Sequence, residues 1–204
     1  MTELYLATED ELGEAVADRL VLEANQELCV AVRMGCKGNS YLRKKLPELI
    51  RTAQAIPVLL LTDLDRLECP PMLIANWHGR QDLPKGMLFR VAVRETEAWL
   101  LADRKGFAHF AGVPLNRVPQ SPESLDDPKR TLLELVRRHG RRDIKVELLP
   151  ERGSKAKVGL GYNQILSQFV RESWSPTKAA ENADSLARTC RRLHELGMRR
   201  QRRG

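Results

Sequence analysis

The first hundred residues alternate between apolar runs and amphipathic stretches. Apolar runs at residues 4–8, 28–32 and 56–61 predict three buried strands, and residues 87–93 predict a fourth. The run at 56–61, IPVLLL, is continuous rather than alternating, which is typical of a central strand covered on both faces. Four strands are therefore expected in this half of the chain.

Apolar residues recur at helical spacing between these strands. One helix is predicted after Thr8 and another after Ser40, and each of these residues can cap the helix that follows it. A short helix is predicted near 72–78, and a further one over 95–103. Because right-handed crossovers place helices on both faces of a parallel sheet, this order predicts an α/β fold with a mostly parallel, Rossmann-like sheet flanked by helices.

The second half of the chain has weaker patterns. Residues 104–130 contain several prolines and little periodicity, so a loop-rich insertion is expected there. The other predicted elements are a helix at 131–138, a strand at 144–148, a basic loop at 153–161, and helices at 162–172 and 177–197. We expect a core in residues 1–110, a mostly helical C-terminal extension packed on it in residues 111–198, and a basic tail at 199–204.

Composition places the chain among ordinary globular proteins. Of its 204 residues 42% are hydrophobic and 30% are charged, which argues against wholesale disorder. Its longest apolar runs are far shorter than the roughly 18 residues of a membrane span, and its acidic N-terminus is unlike a secretory signal. The four cysteines have no CxxC spacing, and the four histidines lack zinc-site spacing. We expect a cytoplasmic protein with reduced thiols and no membrane partner.

The net charge of +7 is concentrated at one end. Residues 191–204 contain six Arg and one Glu, so they account for most of it, and the rest of the chain is nearly balanced. A basic tail can contact phosphates, or it can be a solvated end. The nearly neutral body predicts weak nucleic-acid binding by the chain alone, since non-specific affinity comes from phosphate neutralisation.

Three acidic residues follow predicted strands. Glu9 follows the first strand, and Asp63 and Asp65 follow the third. Ligands of open parallel sheets bind outside the carboxyl ends of the strands, and extended residues two apart share a face. Three carboxylates at one point repel each other unless a cation joins them, and Mg²⁺ prefers such oxygens. The pattern predicts a site for Mg²⁺ or Mn²⁺ formed by Glu9, Asp63 and Asp65.

The segments LYLATEDE and VLLLTDLDR, taken in this order, resemble the TOPRIM domain of topoisomerases, primases and OLD-type nucleases. In that family a Glu after the first strand and a DxD after the third bind Mg²⁺ for phosphodiester chemistry. The resemblance implies these roles for Glu9, Asp63 and Asp65. Many TOPRIM domains carry Gly directly after the Glu, whereas this chain has Asp10, and Glu11 is an alternative first ligand.

The segments VRETEAWLLAD and KVGLGYNQIL resemble a small group of TOPRIM-like bacterial proteins that are often encoded beside an ATPase in phage-defence loci. This resemblance spans nearly the whole chain. It implies a metal-dependent nuclease that acts as the effector of an antiphage system with an ATPase partner, and it favours DNA over RNA as the nucleic acid.

Further charged residues are candidates for the same site. Glu97 is the leading one, as a second-metal ligand, a general base, or a residue that suits the positive end of a helix. A structural ion pair between Glu97 and Arg94 is a further alternative. Secondary acidic candidates are Glu11, Glu95 and Asp103. Lys155 and Lys157, in a Gly-rich loop, could stabilise transition-state charge or belong to a solvated turn.

Three other functions compete with this one. A non-catalytic TOPRIM-like subunit that docks on or regulates an ATPase is favoured by Asp10 and by the small size of the chain. A phosphatase of the haloacid dehalogenase type would need Thr or Val where Leu67 stands, and its acidic pair after the first strand. A receiver domain would need a Lys after a fifth strand, for which no convincing candidate exists.

Overall fold

A four-stranded parallel sheet forms the centre of the computed structural model, which describes residues 2–24 and 28–201. The strands are β1 (Thr2–Thr8), β2 (Leu28–Gly35), β3 (Val58–Asp63) and β4 (Met87–Ala92). Their order is β2-β1-β3-β4, and every neighbouring pair is parallel. The α/β class and the parallel sheet predicted from the sequence are confirmed.

Helices connect the strands and make up the rest of the chain. Those of the first half are α1 (Glu11–Ala24), α2 (Asn39–Thr52), α3 (Pro70–His78) and α4 (Thr96–Ala102). Those that follow are α5 (Arg104–Ala111), α6 (Pro128–His139), α7 (Arg142–Leu148), α8 (Tyr162–Glu172), α9 (Pro176–Ala180) and α10 (Asp184–Gln201). The side chains of the predicted basic tail, 199–204, lie outside the described part, as do residues 202–204 entirely.

Two apolar cores cover the two faces of the sheet. Along β3, Leu59 and Leu61 belong to the larger core, while Val58 and Leu60 belong to the smaller one beside α2 and α3. This alternation explains why the strand is apolar at each of its first four positions, Val58 to Leu61. The larger core continues into the C-terminal extension. Trp174 is among the largest buried side chains that the extension adds to it.

Two sequence-based predictions in the second half were wrong. Residues 142–148 form helix α7, not a strand, because Ile144 and Leu148, four residues apart, face the core while Val146 is exposed. The same three residues are also spaced two apart, which is the pattern of a strand, so the local sequence fits both structures. Residues 104–111 form helix α5 rather than loop, since Phe107 and Ala111 bury one helical stripe.

The helix boundaries also differ from the predicted ones. Asp10, not Thr8, caps α1, and its Oδ1 accepts a 2.8 Å hydrogen bond from the N–H of Gly13. Helix α2 begins at Asn39, after Gly38, without a side-chain cap from Ser40. The single predicted helix at 177–197 is two helices, α9 and α10.

Among residues 2–24 and 28–201, no helix combines the length and the apolar content that a membrane span needs.

Candidate functional site

Glu9 lies at the carboxyl end of β1 and is bound to the end of β3. Its Oε1 accepts a 2.9 Å hydrogen bond from the N–H of Asp63 and another from the hydroxyl of the buried Thr62. Because β1 and β3 are neighbours in the sheet, the end of β3 can donate to a side chain just beyond β1. The predicted meeting of positions 9 and 63 at one edge of the sheet is therefore present in the structure.

Asp63 is connected in turn to the segment that follows β4. Its Oδ1 accepts hydrogen bonds from the N–H of Thr96, at 2.9 Å, and from the hydroxyl of Thr96, at 2.8 Å. Thr96 is the first residue of α4 and is buried. The ends of β1, β3 and β4 are thus joined through two carboxylates and two threonines.

The carboxylates at this edge disfavour their own ionisation. Burial, followed by the neighbouring charges of Glu97 and Glu9, holds the pKa of Asp63 well above its usual range. Burial also raises the pKa of Glu9, although the hydrogen bonds from Thr62 and Asp63 oppose this effect. The cluster therefore favours binding of a cation, either a proton or a metal ion, that relieves the repulsion.

Asp65 lies beyond the end of β3 and is not positioned by the extended strand that holds Asp63. The strand ends at Asp63, Leu64 is buried, and Asp65 is exposed with a φ of +53°. The argument from extended residues two apart was therefore wrong here, because the chain turns before Asp65. Its Oδ2 accepts a long hydrogen bond, 3.4 Å, from Asn39 Nδ2. Its charge still contributes to raising the pKa of Glu9.

Glu97 is the most deeply buried acid of the cluster, with 4% of its surface exposed. Its Oε1 accepts a 2.6 Å hydrogen bond from the hydroxyl of Tyr162 and lies 3.5 Å from Lys129 Nζ. The Lys129 ammonium also lies 4.5 Å from the centre of the Tyr162 ring. Burial, and then the Glu97 charge, raises the pKa of Tyr162, so the hydroxyl stays protonated and acts as a donor.

Glu95 lies one residue before α4 and contacts the beginning of α6. Its Oε2 accepts a 2.9 Å hydrogen bond from the N–H of Lys129, and burial raises its pKa. This contact occupies one of the free N–H groups at the start of that helix. Glu95 therefore joins the extension to the edge of the sheet.

The remaining predicted candidates have different positions. The side chain of Asp103 is buried and caps α5 through Gly106, while its other oxygen accepts a 2.9 Å hydrogen bond from the N–H of Ser175. Glu11 is exposed in the first turn of α1, and Lys155 is exposed in the loop after α7. Lys157, in the same loop, lines a cleft beside the site.

This cleft, of about 660 Å³, begins at the loops that follow β3 and β4. Asp65, Arg66, Arg94 and Glu95 line one side of it. The opposite side is formed by α6 and by the loop before α8. The residues there are Asp126, Asp127, Lys129, Arg130, Leu133, Glu134, Arg137, Lys157 and Val158. The C-terminal extension therefore supplies most of this surface.

Sequence reasoning missed the residues that position the carboxylates. Thr62 and Thr96 each donate a hydroxyl to a predicted site acid, and Lys129 and Tyr162 hold Glu97. The signal for the threonines was present, since each lies directly beside an acid in TDLD and RETEAW. No local pattern could reveal Lys129, because its contact crosses from another helix.

The carboxylate oxygens at this edge supply only part of the ligand set that a divalent cation needs. Hydrogen bonds within the described residues occupy Oε1 of Glu9 and Oδ1 of Asp63 and leave the other oxygen of each carboxylate available. Two carboxylates with waters and substrate oxygens suit Mg²⁺. Within residues 2–24 and 28–201, however, no three His, Cys, Asp or Glu side chains are arranged to hold a metal ion. The described residues therefore offer at most a two-carboxylate site at this edge.

Comparison of the chain with protein-family models, with curated proteins and with solved structures found no match in any of the three.

Proposed function

We propose that this protein is a Mg²⁺- or Mn²⁺-dependent phosphodiester hydrolase that cleaves nucleic acid at the edge formed by Glu9 and Asp63. The observation that supports it is the pair of carboxylates positioned by Thr62 and Thr96, in which burial raises the pKa of both acids and the charges of neighbouring carboxylates raise it further. Such a pair gains most from a bound divalent cation.

Each residue would have a separate task. Glu9 and Asp63 would hold the cation through the oxygens that are not occupied by hydrogen bonds, while Thr62 and Thr96 fix the two carboxylates. A divalent cation there would lower the pKa of an attacking water and neutralise the phosphate. Asp65, exposed on the following turn, would contact that water shell, and Lys129 beside Glu97 would face the developing phosphate charge.

We further propose that the fold is TOPRIM-like and that an ATPase is the partner in antiphage defence. The support is the sequence resemblance, together with the Glu after β1 and the DxD after β3 in a parallel sheet. The nearly balanced charge of residues 1–190 favours a partner that increases the affinity for DNA.

The experiment that tests this function has two measurements. Isothermal titration with Mn²⁺ measures metal binding, and incubation with plasmid, single-stranded DNA and tRNA measures cleavage, with and without the candidate ATPase. We expect Asp63→Ala to abolish both. Asp82→Ala is the matched control, because Asp82 is exposed and does not line the site. Metal binding and cleavage that survive Asp63→Ala would refute the proposal.

A non-catalytic subunit is the second candidate, and the lack of a three-ligand set in the described residues favours it. On this reading the carboxylates at the edge would serve regulation of an ATPase rather than hydrolysis. Wild-type protein that stimulates or inhibits the ATPase rate, without Mn²⁺ binding and without cleavage in either arm, would select this alternative.

A further inference from the structure

The cleft beside the carboxylates contains six cationic side chains, and three of them form neither an ion pair nor a side-chain hydrogen bond in the described part of the chain. Arg130 forms an ion pair with Glu134, Lys129 lies next to Glu97, and Arg94 donates to the backbone oxygens of Asp65 and Leu67. The remaining three, Arg66, Arg137 and Lys157, are exposed and line the cleft.

Four of the five acids that line the cleft make local contacts, and the exposed Asp126 makes none within the described residues. Asp127 caps α6 through the N–H of Arg130, and Glu95 accepts from the N–H of Lys129, so carboxylates already bind two N–H groups at the start of this helix. An anion in the cleft would therefore contact the free side chains and not the helix terminus. Arg and Lys that lack carboxylate partners favour phosphate as their counter-charge.

We propose that Arg66, Arg137 and Lys157 bind successive phosphates of a single nucleic-acid strand and direct it past Asp65 to the carboxylate pair. This inference rests on the proposed function, because it takes that strand to be the substrate.

The size and lining of the cleft select the form of nucleic acid. A volume of about 660 Å³ is in the range of roughly 300–1,000 Å³ that suits a small-molecule-sized group, and a flexible strand can place one or two nucleotides there. A double helix is too wide and too stiff to enter a cleft of this volume. No aromatic side chain is among the residues that line the cleft, so base stacking is absent and sequence preference should be low.

The test measures binding without cleavage. Fluorescence anisotropy of a labelled oligothymidylate is recorded with the full-length protein in EDTA. Arg66→Ala, Arg137→Ala and Lys157→Ala should each weaken binding roughly tenfold, since each removes a charge-assisted contact. Each should also reduce the steepness of the plot of log affinity against log salt by about 0.7. Arg138→Ala and Lys155→Ala, on the same helix and loop but outside the cleft, are the matched controls and should bind as wild type.

Any of the following outcomes overturns the inference. It fails if the control variants weaken binding as much as the cleft variants, or if the cleft variants bind like wild type. Equal affinity for a duplex would exclude a single strand, and competition by free thymidine monophosphate at equal phosphate concentration would make the ligand a nucleotide. Because binding is measured in EDTA, its result does not depend on cleavage. A protein that binds the strand in EDTA but does not cleave it in Mn²⁺ would refute the proposed hydrolase alone.

Discussion

The hydroxyl of Tyr162 donates a 2.6 Å hydrogen bond to Oε1 of Glu97, and this contact joins the first residue of α8 to the first turn of α4. Both side chains are buried. The helix that follows β4 is therefore tied to the C-terminal extension at the same place where Glu95 binds the start of α6. The extension forms part of the site and does not merely cover the core.

Tyr162→Phe should lower the free energy of unfolding by about 1–3 kcal/mol, because it leaves a buried carboxylate without one of its donors. Urea denaturation followed by circular dichroism measures this change. Tyr41→Phe is the control, since the half-buried Tyr41 donates no side-chain hydrogen bond within the described residues. An equal effect of the two substitutions would contradict the importance of the contact.

Asp63→Asn should increase stability in metal-free buffer at neutral and higher pH. The folded protein raises the pKa of Asp63 above its unfolded value of about 4, so between these two values the folded state binds more protons than the unfolded state. The free energy of unfolding of the wild type therefore falls as pH rises through this window. Asn keeps an acceptor for Thr96 and carries no charge.

The measurement is a series of thermal or urea unfolding curves for both proteins across pH. The advantage of Asp63→Asn should be largest above the folded pKa and should disappear as pH falls toward 4. Asp143→Asn should have the opposite effect and lower the free energy of unfolding. Arg141 lowers the pKa of Asp143, so ionisation of that residue favours folding. An advantage of Asp63→Asn that does not change with pH would rule out the electrostatic explanation.

Thr96→Val should weaken Mn²⁺ binding by about 10–100-fold, the usual effect of removing a group that orients a metal ligand. The substitution keeps the shape of the side chain and the backbone N–H bond to Asp63, but removes the 2.8 Å hydroxyl bond. Titration calorimetry measures the dissociation constant. Thr96→Ser retains a hydroxyl and should bind Mn²⁺ with most of the wild-type affinity. Identical affinities for the wild type and both variants would contradict this prediction.

Asp103→Ala should destabilise the protein by about 1–3 kcal/mol without changing the metal affinity of the folded fraction. Its carboxylate caps α5 and also accepts from the N–H of Ser175, so two backbone donors lose their partner. Unfolding curves and Mn²⁺ titration are compared with Asp82→Ala. Loss of metal binding with unchanged stability would instead assign Asp103 to the site.

The strands were predictable because each is a nearly continuous apolar run, and β3 needs such a run to serve two cores. Residues 144–148 show the limit of this reasoning, since three apolar residues two apart fit a strand and also place a pair four apart on one helical face. Burial of Ile144 and Leu148 in the core, where α7 packs against α6 and α8, decides between the two. That packing depends on distant residues, and a local pattern does not contain it.

The carboxylate pair was predictable from strand ends, but its neighbours were not. Glu9 and Asp63 follow neighbouring parallel strands, so their proximity follows from topology alone. The position of Asp65 depends on a turn of the backbone, and the environment of Glu97 depends on Lys129 and Tyr162, which are distant in the chain. Sequence indicates which acids meet, whereas tertiary packing sets their electrostatics.

Asp65 and Arg94 both have left-handed backbones, with φ values of +53° and +64°, and the N–H of Asp65 donates a 2.8 Å hydrogen bond to the carbonyl of Arg94. Glycine adopts this conformation without steric cost, so it is the substitution these two loops accept most readily. Replacing Asp65 by glycine would delete the carboxylate and keep the course of the chain, whereas valine or isoleucine would distort both loops at once. In natural variation or in a mutant library, position 65 can therefore lose its charge while the sheet edge beside it keeps its shape.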